Sequence, residues 1–181
     1  SFVDKADILL TKLIIRGGHD MKNSFMRLVM AIFAIVLLIP SVTANAKLSS
    51  DQIAIGGIAY KSSLDYIYGI YGPPDFIESG SVYCWGYNSL EVNTWGPHGQ
   101  TNYATEIRCK KNNGLATPAG VTVGMPVSVL NDLYGRADYT LDSDREGNTV
   151  YTYFGEAGPC LVFRVLNNRI REIWVIKDFT P

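Results

Sequence analysis

The sequence predicts an α+β fold of two tandem copies of one unit, each a short helix followed by antiparallel strands. Three observations support this: a motif that occurs twice, a change from helical to alternating periodicity after each occurrence, and turn sequences between the alternating segments. The copies cover about residues 53–111 and 120–178. A helix face and a sheet face each need an apolar partner. We therefore expect the helices to cover one face of a shared or adjoining antiparallel sheet.

The repeated motif predicts a short helix in each copy. Residues 62–71 and 126–134 carry apolar side chains at three- and four-residue spacing, which is the pattern of one helix face. Gly72 is followed by two prolines, which cannot continue a helix. Gly135 follows the second helix and suits a left-handed cap.

Alternating segments follow each helix, and each of them predicts a strand. The predicted strands are residues 81–87, 90–95, 103–110, 149–154, 160–166 and 169–176. Residues 155–159 and 167–168 are turn sequences, so the second copy is expected to be a meander of hairpins. Residues 112–120 join the copies and are too short for a free linker, so the halves should pack together.

Residues 21–46 have the pattern of a secretory signal peptide: a basic start, an apolar run at 28–39, and small residues up to Ala46. Twelve residues of helix span about 18 Å, less than the roughly 30 Å of a bilayer core, which argues against a membrane anchor. We expect cleavage near Ala46 and export of the mature domain, residues 47–181, to the periplasm, cell surface or medium. Residues 1–20 contain no methionine, and we interpret them as a mis-assigned upstream extension.

The charge of the chain gives no reason to expect a polyanionic partner. The net charge is −1, and the part after residue 46 is slightly more acidic. Binding to nucleic acid or to an anionic membrane relies on a surplus of Lys and Arg. We therefore expect no nucleic-acid partner and no stable membrane span after signal removal. The partner we expect instead is another exported or envelope protein.

The chain has three cysteines, Cys84, Cys109 and Cys160. In an oxidising compartment an odd number allows one internal bridge and leaves a thiol over. We favour a disulfide between Cys84 and Cys109 because both lie in the first copy, but the spacing leaves the other pairings open.

Ordinary catalytic motifs are absent from the sequence. His98 is the one histidine after residue 46, and it lies in a Gly-Pro-His-Gly turn with no evident orienting partner. No nucleophile elbow, phosphate loop or dinucleotide fingerprint occurs. We therefore predict no enzyme activity, no catalytic residue and no cofactor.

Two sets of carboxylates are candidates for a functional role. Asp142, Asp144 and Glu146, with Gly147, have the spacing of the first half of a calcium loop, but position 12 is Tyr153 rather than glutamate. A solvated loop before a hairpin is the interpretation we favour, and we predict no metal site. Asp75 and Asp138 follow the two helices at equivalent places, and we expect each to hydrogen-bond its turn rather than act in acid–base chemistry.

These motifs resemble the repeat of the beta-lactamase-inhibitor-protein-like superfamily, which includes the SmpA/OmlA-type outer-membrane assembly lipoproteins. The similarity covers nearly all of residues 53–176 and is carried by Val123-Gly124-Met125-Pro126, by Leu133-Tyr134-Gly135-Arg136-Ala137-Asp138, by Tyr151-Thr152-Tyr153-Phe154-Gly155, and by Tyr71-Gly72-Pro73-Pro74-Asp75. Ala137 replaces the usual proline, and Lys61-Ser62 replace the Gly-Met of the first copy. The resemblance implies tandem helix-plus-sheet units in an exported protein, often with a protein-binding role. It does not imply beta-lactamase inhibition. No cysteine for lipid attachment follows the apolar run.

The aromatic side chains are the remaining candidates for function. All eleven tyrosines lie after residue 59. Alternation places the tyrosines of residues 150–154 on one side of their strand and the aliphatics on the other. If the helices cover the aliphatic side, the rings form an open face suited to binding a protein. The candidate residues of this face are Trp85, Tyr87, Trp95, Tyr151, Tyr153 and Trp174.

Two other functions remain open. The rings could instead pair across strands and stabilise the sheet, which would make the protein a structural envelope component with no exposed binding face. The third alternative is a small ligand-binding protein or enzyme that uses Asp75, Asp138 or His98.

Overall fold

The computed structural model describes residues 47–177, so the predicted signal peptide and upstream extension lie outside the described residues. That part of the chain folds into a large antiparallel sheet, two two-stranded hairpins and two short α-helices. The helices are α1 (Leu64–Tyr71) and α2 (Ser128–Tyr134). The strands are β1 (Ala54–Ile55), β2 (Ile58–Ala59), β3 (Phe76–Glu78), β4 (Val82–Trp85), β5 (Leu90–Asn93), β6 (Trp95–Gly96), β7 (Gly99–Gln100), β8 (Glu106–Cys109), β9 (Tyr139–Leu141), β10 (Thr149–Phe154), β11 (Pro159–Leu166) and β12 (Arg169–Lys177).

The large sheet has eight strands in the order β3-β4-β5-β8-β12-β11-β10-β9. Along the chain, β3, β4, β5 and β8 occupy successive positions from one edge to the centre of the sheet. Strands β9, β10, β11 and β12 do the same from the other edge. The two sets meet where β8 pairs with β12, with Cys109 opposite Ile173 and Glu106 opposite Ile176. Every pairing in this sheet is antiparallel.

Both helices pack on the same face of the large sheet. Ile67 of α1 and Leu130 of α2 are buried in one apolar core with Trp85, Ile107 and Phe163 of the strands. Short helices of this length are marginal alone, so burial of this single apolar face is what stabilises them. The fold is therefore mostly sheet, with helices on one side.

The ends of the helices explain their lengths. The Ser63 hydroxyl caps α1 by accepting a hydrogen bond from the Tyr66 backbone N–H at 3.2 Å. Gly72 and Gly135 follow the two helices with φ values of 72° and 73°, a conformation that glycine adopts without strain. Gly135 has the positive φ expected of a glycine after a helix, but its ψ of −155° is far from the left-handed helical value predicted for it.

The two helices and six strands predicted from periodicity are all present, with ends shifted by up to three residues. The edge strands β3 and β9 were missed because three residues are too few to show alternation. The β1–β2 hairpin was also missed, although Gly56-Gly57 is a strong turn signal. Among the described residues no helix is long and apolar enough to cross a bilayer.

Candidate functional site

Neither helix packs on the second side of the large sheet, which we call the open face. The side chains on this face include those of Arg108, Val150, Val162, Arg164 and Trp174. Strand register brings them to one side, because Arg108 lies opposite Trp174, Trp174 opposite Val162, and Arg164 opposite Val150. Val150 and Val162 are buried in a small apolar cluster against which Trp174 packs. Toward β5 the same face becomes polar, with Glu91 opposite Arg108 and Asn93 opposite Glu106.

The loop between β9 and β10 folds onto the open face. Asp144 organises this loop: its Oδ1 accepts hydrogen bonds from the backbone N–H groups of Glu146 and Asn148 at 2.8 and 2.9 Å. Its Oδ2 accepts from the Arg164 guanidinium, at 2.8 Å from Nε and 2.5 Å from Nη2. One carboxylate therefore fixes both the shape of the loop and its attachment to β11.

Arg164 is the centre of a buried ion-pair network. Besides Asp144, it contacts Glu172 at 2.9 Å through Nη1 and Glu146 at 3.2 Å through Nη2. Burial opposes ionisation of Asp144. Its hydrogen bonds from the Asn148 backbone and from Arg164 outweigh that cost and lower the pKa of the carboxyl to about 2. The pKa of the Arg164 guanidinium is raised: burial works against the charge, and the hydrogen bonds to Asp144 and Glu172 more than compensate.

Trp174 lies beside this network. Its indole Nε1–H donates to Glu172 Oε2 at 2.9 Å, because both side chains lie on the open face. The guanidinium carbons of Arg108 and Arg164 are 4.4 and 5.1 Å from the ring centroid, within cation–π range. The orientation of the indole is thus fixed by one hydrogen bond and two cations.

Between the loop and Trp174 is a cavity of about 420 Å³, which we call the Trp174 cavity. Arg145 and Glu146 line it on the loop side, Trp174 and Arg108 on the opposite side, and Val162 lies at its back. Its size falls at the lower end of the range usual for ligand sites. The cavity contains both an apolar wall and accessible charges.

The six aromatic residues predicted for a binding face are not on one surface, which corrects that prediction. Trp85 and Tyr153 are only 6% and 3% exposed, in the core beneath the helices, and Tyr151 is half-buried on the same side. Tyr87 and Trp95 are 87% and 62% exposed, but they lie in a turn and in the β6–β7 hairpin. Of the six, Trp174 alone is on the open face. The alternation was correct, but the helices cover the side that carries the tyrosines.

Trp85 and Tyr153 each donate a hydrogen bond to a carbonyl at the end of a helix. The Trp85 Nε1–H donates to the Gly72 carbonyl at 3.2 Å, and the Tyr153 hydroxyl donates to the Gly135 carbonyl at 3.3 Å. The last carbonyls of a helix have no partner within the helix. A ring with a polar tip both fills the core and supplies that partner.

The disulfide predicted between Cys84 and Cys109 is absent. Cys84 lies opposite Glu91, and Cys109 lies opposite Leu90, the preceding residue of β5. Neighbouring residues of a strand point to opposite sides of the sheet, so the two sulfurs are on different faces. Both are buried thiols, and Cys109 Sγ is 3.3 Å from the Lys111 carbonyl oxygen. Cys160 is also buried, with its Sγ 3.3 Å from the Ile176 carbonyl oxygen.

The structure separates the remaining candidates from one another. Asp75 Oδ2 accepts from the Tyr87 backbone N–H at 3.1 Å, and Asp138 Oδ2 accepts from the Phe154 backbone N–H at 2.7 Å, so both carboxylates hold turns and strands as expected. His98 is exposed in the β6–β7 hairpin and does not line the Trp174 cavity.

The calcium-like spacing of residues 142–147 does not produce a calcium-loop geometry. Both carboxylate oxygens of Asp144 already accept hydrogen bonds, from Arg164 and from backbone N–H groups. Residues 47–177 contain no cluster of three or more metal-ligating side chains.

Sequence reasoning missed Arg164 as the organising residue. Its partners Asp144 and Glu172 are 20 and 8 positions away, with no local motif to connect them. The available signal was an arginine inside an otherwise apolar strand, because a buried charge requires buried partners.

Comparison with known proteins gives no family. No family model and no curated protein matches the chain. Two solved structures are similar at a TM-score of 0.44. One is a DUF4309 family protein (YjgB) from Bacillus subtilis, 15% identical over 67% of this chain and 83% of that one. The other is an extracellular protein containing a SCP domain from Bacillus anthracis, 7% identical over 77% of this chain and 49% of that one. Neither similarity carries an argument about activity.

Proposed function

We propose that this protein is an exported, non-catalytic domain that binds another protein through the open face around Trp174. The observation that carries the proposal is the Trp174 cavity, where a preoriented indole lies beside accessible charges on a side of the sheet that neither α1 nor α2 covers. Tryptophan and arginine dominate the energetics of protein interfaces, and rigid side chains lose little entropy on binding. Export is supported by the signal-peptide pattern of residues 21–46.

We further propose that the two halves arose by duplication and belong to the superfamily they resemble. The mirrored strand order supports this, as do the matching contacts at the helix ends: Trp85 to Gly72 and Tyr153 to Gly135. Under this proposal the β9–β10 loop is specific to the second half, because the β3–β4 connection is only residues 79–81. The cavity then lies where the halves differ.

A structural envelope component remains the second candidate. The observation that favours it is the burial of Trp85 and Tyr153, which removes two of the largest rings from any exposed surface.

A capture experiment distinguishes the two functions. The tagged protein is used to capture partners from the exported fraction of its host, with Trp174→Ala and Arg145→Glu as test variants. Trp95→Ala is the matched control, because that tryptophan is exposed in the β6–β7 hairpin. We expect a partner that both test variants lose and the control retains. A partner retained by both test variants, or no partner with the wild-type protein, would refute binding through the open face.

A further inference from the structure

The accessible charges of the Trp174 cavity are mainly positive. Arg145 lines the cavity, is exposed, and makes no ion pair or side-chain hydrogen bond within residues 47–177. Arg108 and Lys110 also line it, with side chains 36% and 30% exposed. Their ion-pair partners, Glu106 and Glu91, do not line the cavity. Arg108 uses one nitrogen in its ion pair and Lys110 uses one proton, so both keep further donors for a ligand.

The negative charges of the cavity are already neutralised. Asp144 and Glu172 are nearly buried and are bound by Arg164. Glu146 is the one lining carboxylate whose side chain is mostly exposed, and it lies 3.2 Å from the same guanidinium. A ligand that enters therefore meets three cations with spare donors and one partly engaged acid.

The rest of the lining is apolar. Leu141 and Trp174 are half-buried, and Val162 lies behind them. Apolar surface of this kind favours a hydrocarbon or aromatic group over a hydrated one. The cavity thus combines an apolar wall with cations, which is the complement of an apolar group bearing a carboxylate.

We propose that the Trp174 cavity binds an acidic, apolar peptide segment of the partner protein, with the apolar side chain against Trp174 and Leu141 and the carboxylate at Arg145, Arg108 and Lys110. This inference rests on the proposed function and specifies the chemistry of its partner. The carboxylate is supplied either by the end of the partner chain or by an Asp or Glu side chain, since both present the same group to the cations.

The test measures binding of short probes at the indole N–H of Trp174. The chain has three tryptophans, so the ¹⁵N-labelled protein, as its host produces it, gives a simple set of indole signals. Trp174→Phe identifies the relevant signal, and the Trp85 and Trp95 signals serve as internal references. The probes are N-acetyl-phenylalanine, which presents a chain-end carboxylate, and N-acetyl-phenylalanyl-glutamate amide, which presents a side-chain carboxylate. N-acetyl-phenylalanine amide has neither.

We expect a saturable shift of the Trp174 signal with one or both acids and none with the amide. The acid that binds identifies the source of the carboxylate. Arg145→Gln should weaken acid binding by up to about fivefold, the upper end of the range for an exposed charge pair. Glu146→Gln, the neighbouring matched variant, should strengthen it by a similar factor, and added salt should weaken it.

Equal shifts with acid and amide, or no shift with either acid up to its solubility limit, would overturn the proposal. So would equal shifts at Trp95, which would indicate non-specific contact, or binding that both loop variants leave unchanged. The capture experiment can succeed while the probes fail, in which case the open face binds a partner of different chemistry. Failure of both would remove the proposed function as well.

Discussion

Replacing Asp144 by asparagine tests the ion-pair network that anchors the β9–β10 loop. Asparagine keeps the shape of the side chain and its ability to accept the backbone hydrogen bonds of the loop, but it removes the charge that Arg164 binds. The folded protein holds the pKa of Asp144 at about 2 against an ordinary value of 3.8. A difference of this size corresponds to about 2 kcal/mol of stability when the carboxyl is ionised.

The pH dependence of this contribution has a defined sign. The folded pKa lies below the unfolded one, so the stabilisation is complete above the unfolded pKa and is lost as the pH falls through the folded pKa. The free energy of unfolding of the wild type should exceed that of Asp144→Asn by about 2 kcal/mol at neutral pH and by about 1 kcal/mol near pH 3. Below pH 2 the two values should be almost equal. Other carboxyl groups titrate in both proteins and largely cancel in the difference.

Urea denaturation followed by tryptophan fluorescence at several pH values measures this difference. Asp142→Asn is the matched control, because that side chain in the same loop makes no hydrogen bond or ion pair among the described residues. The control should lie within about 0.5 kcal/mol of wild type, as is usual for surface substitutions. A difference between wild type and Asp144→Asn that is equally small at neutral pH, or that persists unchanged in acid, would show that Arg164 does not depend on this partner.

Three further outcomes follow from the fold. Tyr153→Phe should lower the free energy of unfolding by about 1 kcal/mol, because the carbonyl after α2 loses its buried donor; an unchanged urea midpoint would contradict that role. Cys84 and Cys109 should both be alkylated under denaturing conditions without a reductant. In the native protein alkylation should be slow, because both thiols are buried and the pKa of Cys84 is raised to about 11. A mass corresponding to a bridged pair would contradict the sheet register. Gly155→Ala should cost about 2 kcal/mol, since a Cβ there would lie 2.5 Å from a backbone carbonyl oxygen, and a thermal melt unchanged from wild type would show that this contact relaxes freely.

Local patterns predicted the elements of this fold well. The spacing within residues 149–154 and 169–176 identified β10 and β12 almost to the residue. Such patterns report which residues share a face, and the alternation predicted within residues 150–154 is correct. They do not report which face the helices cover. The helices cover the face that carries Trp85 and Tyr153, and both rings donate there to carbonyls at the helix ends.

The candidate site was harder to predict because its parts are distant in sequence. Asp144, Arg164 and Trp174 come from a loop and two strands, and only the strand register brings them together. The spacing of Asp144 is that of a calcium loop, whereas its partner in the structure is a guanidinium twenty residues later. Charge pairing across strands has no period in the sequence. An arginine in an apolar strand was the single clue.

The central pairing of β8 with β12 also affects how the chain must fold. β12 is the last strand along the described residues, yet it lies in the middle of the sheet, and its residues pair with residues of β8 that are 64 to 70 positions earlier. Contacts between such distant segments are slow to form, because a long loop must close before they contribute. Until Arg169–Lys177 is added, β8 and β11 each have an unpaired side, and such edges are prone to pairing with other chains. A chain that is incomplete at this strand should therefore aggregate rather than form a smaller stable sheet.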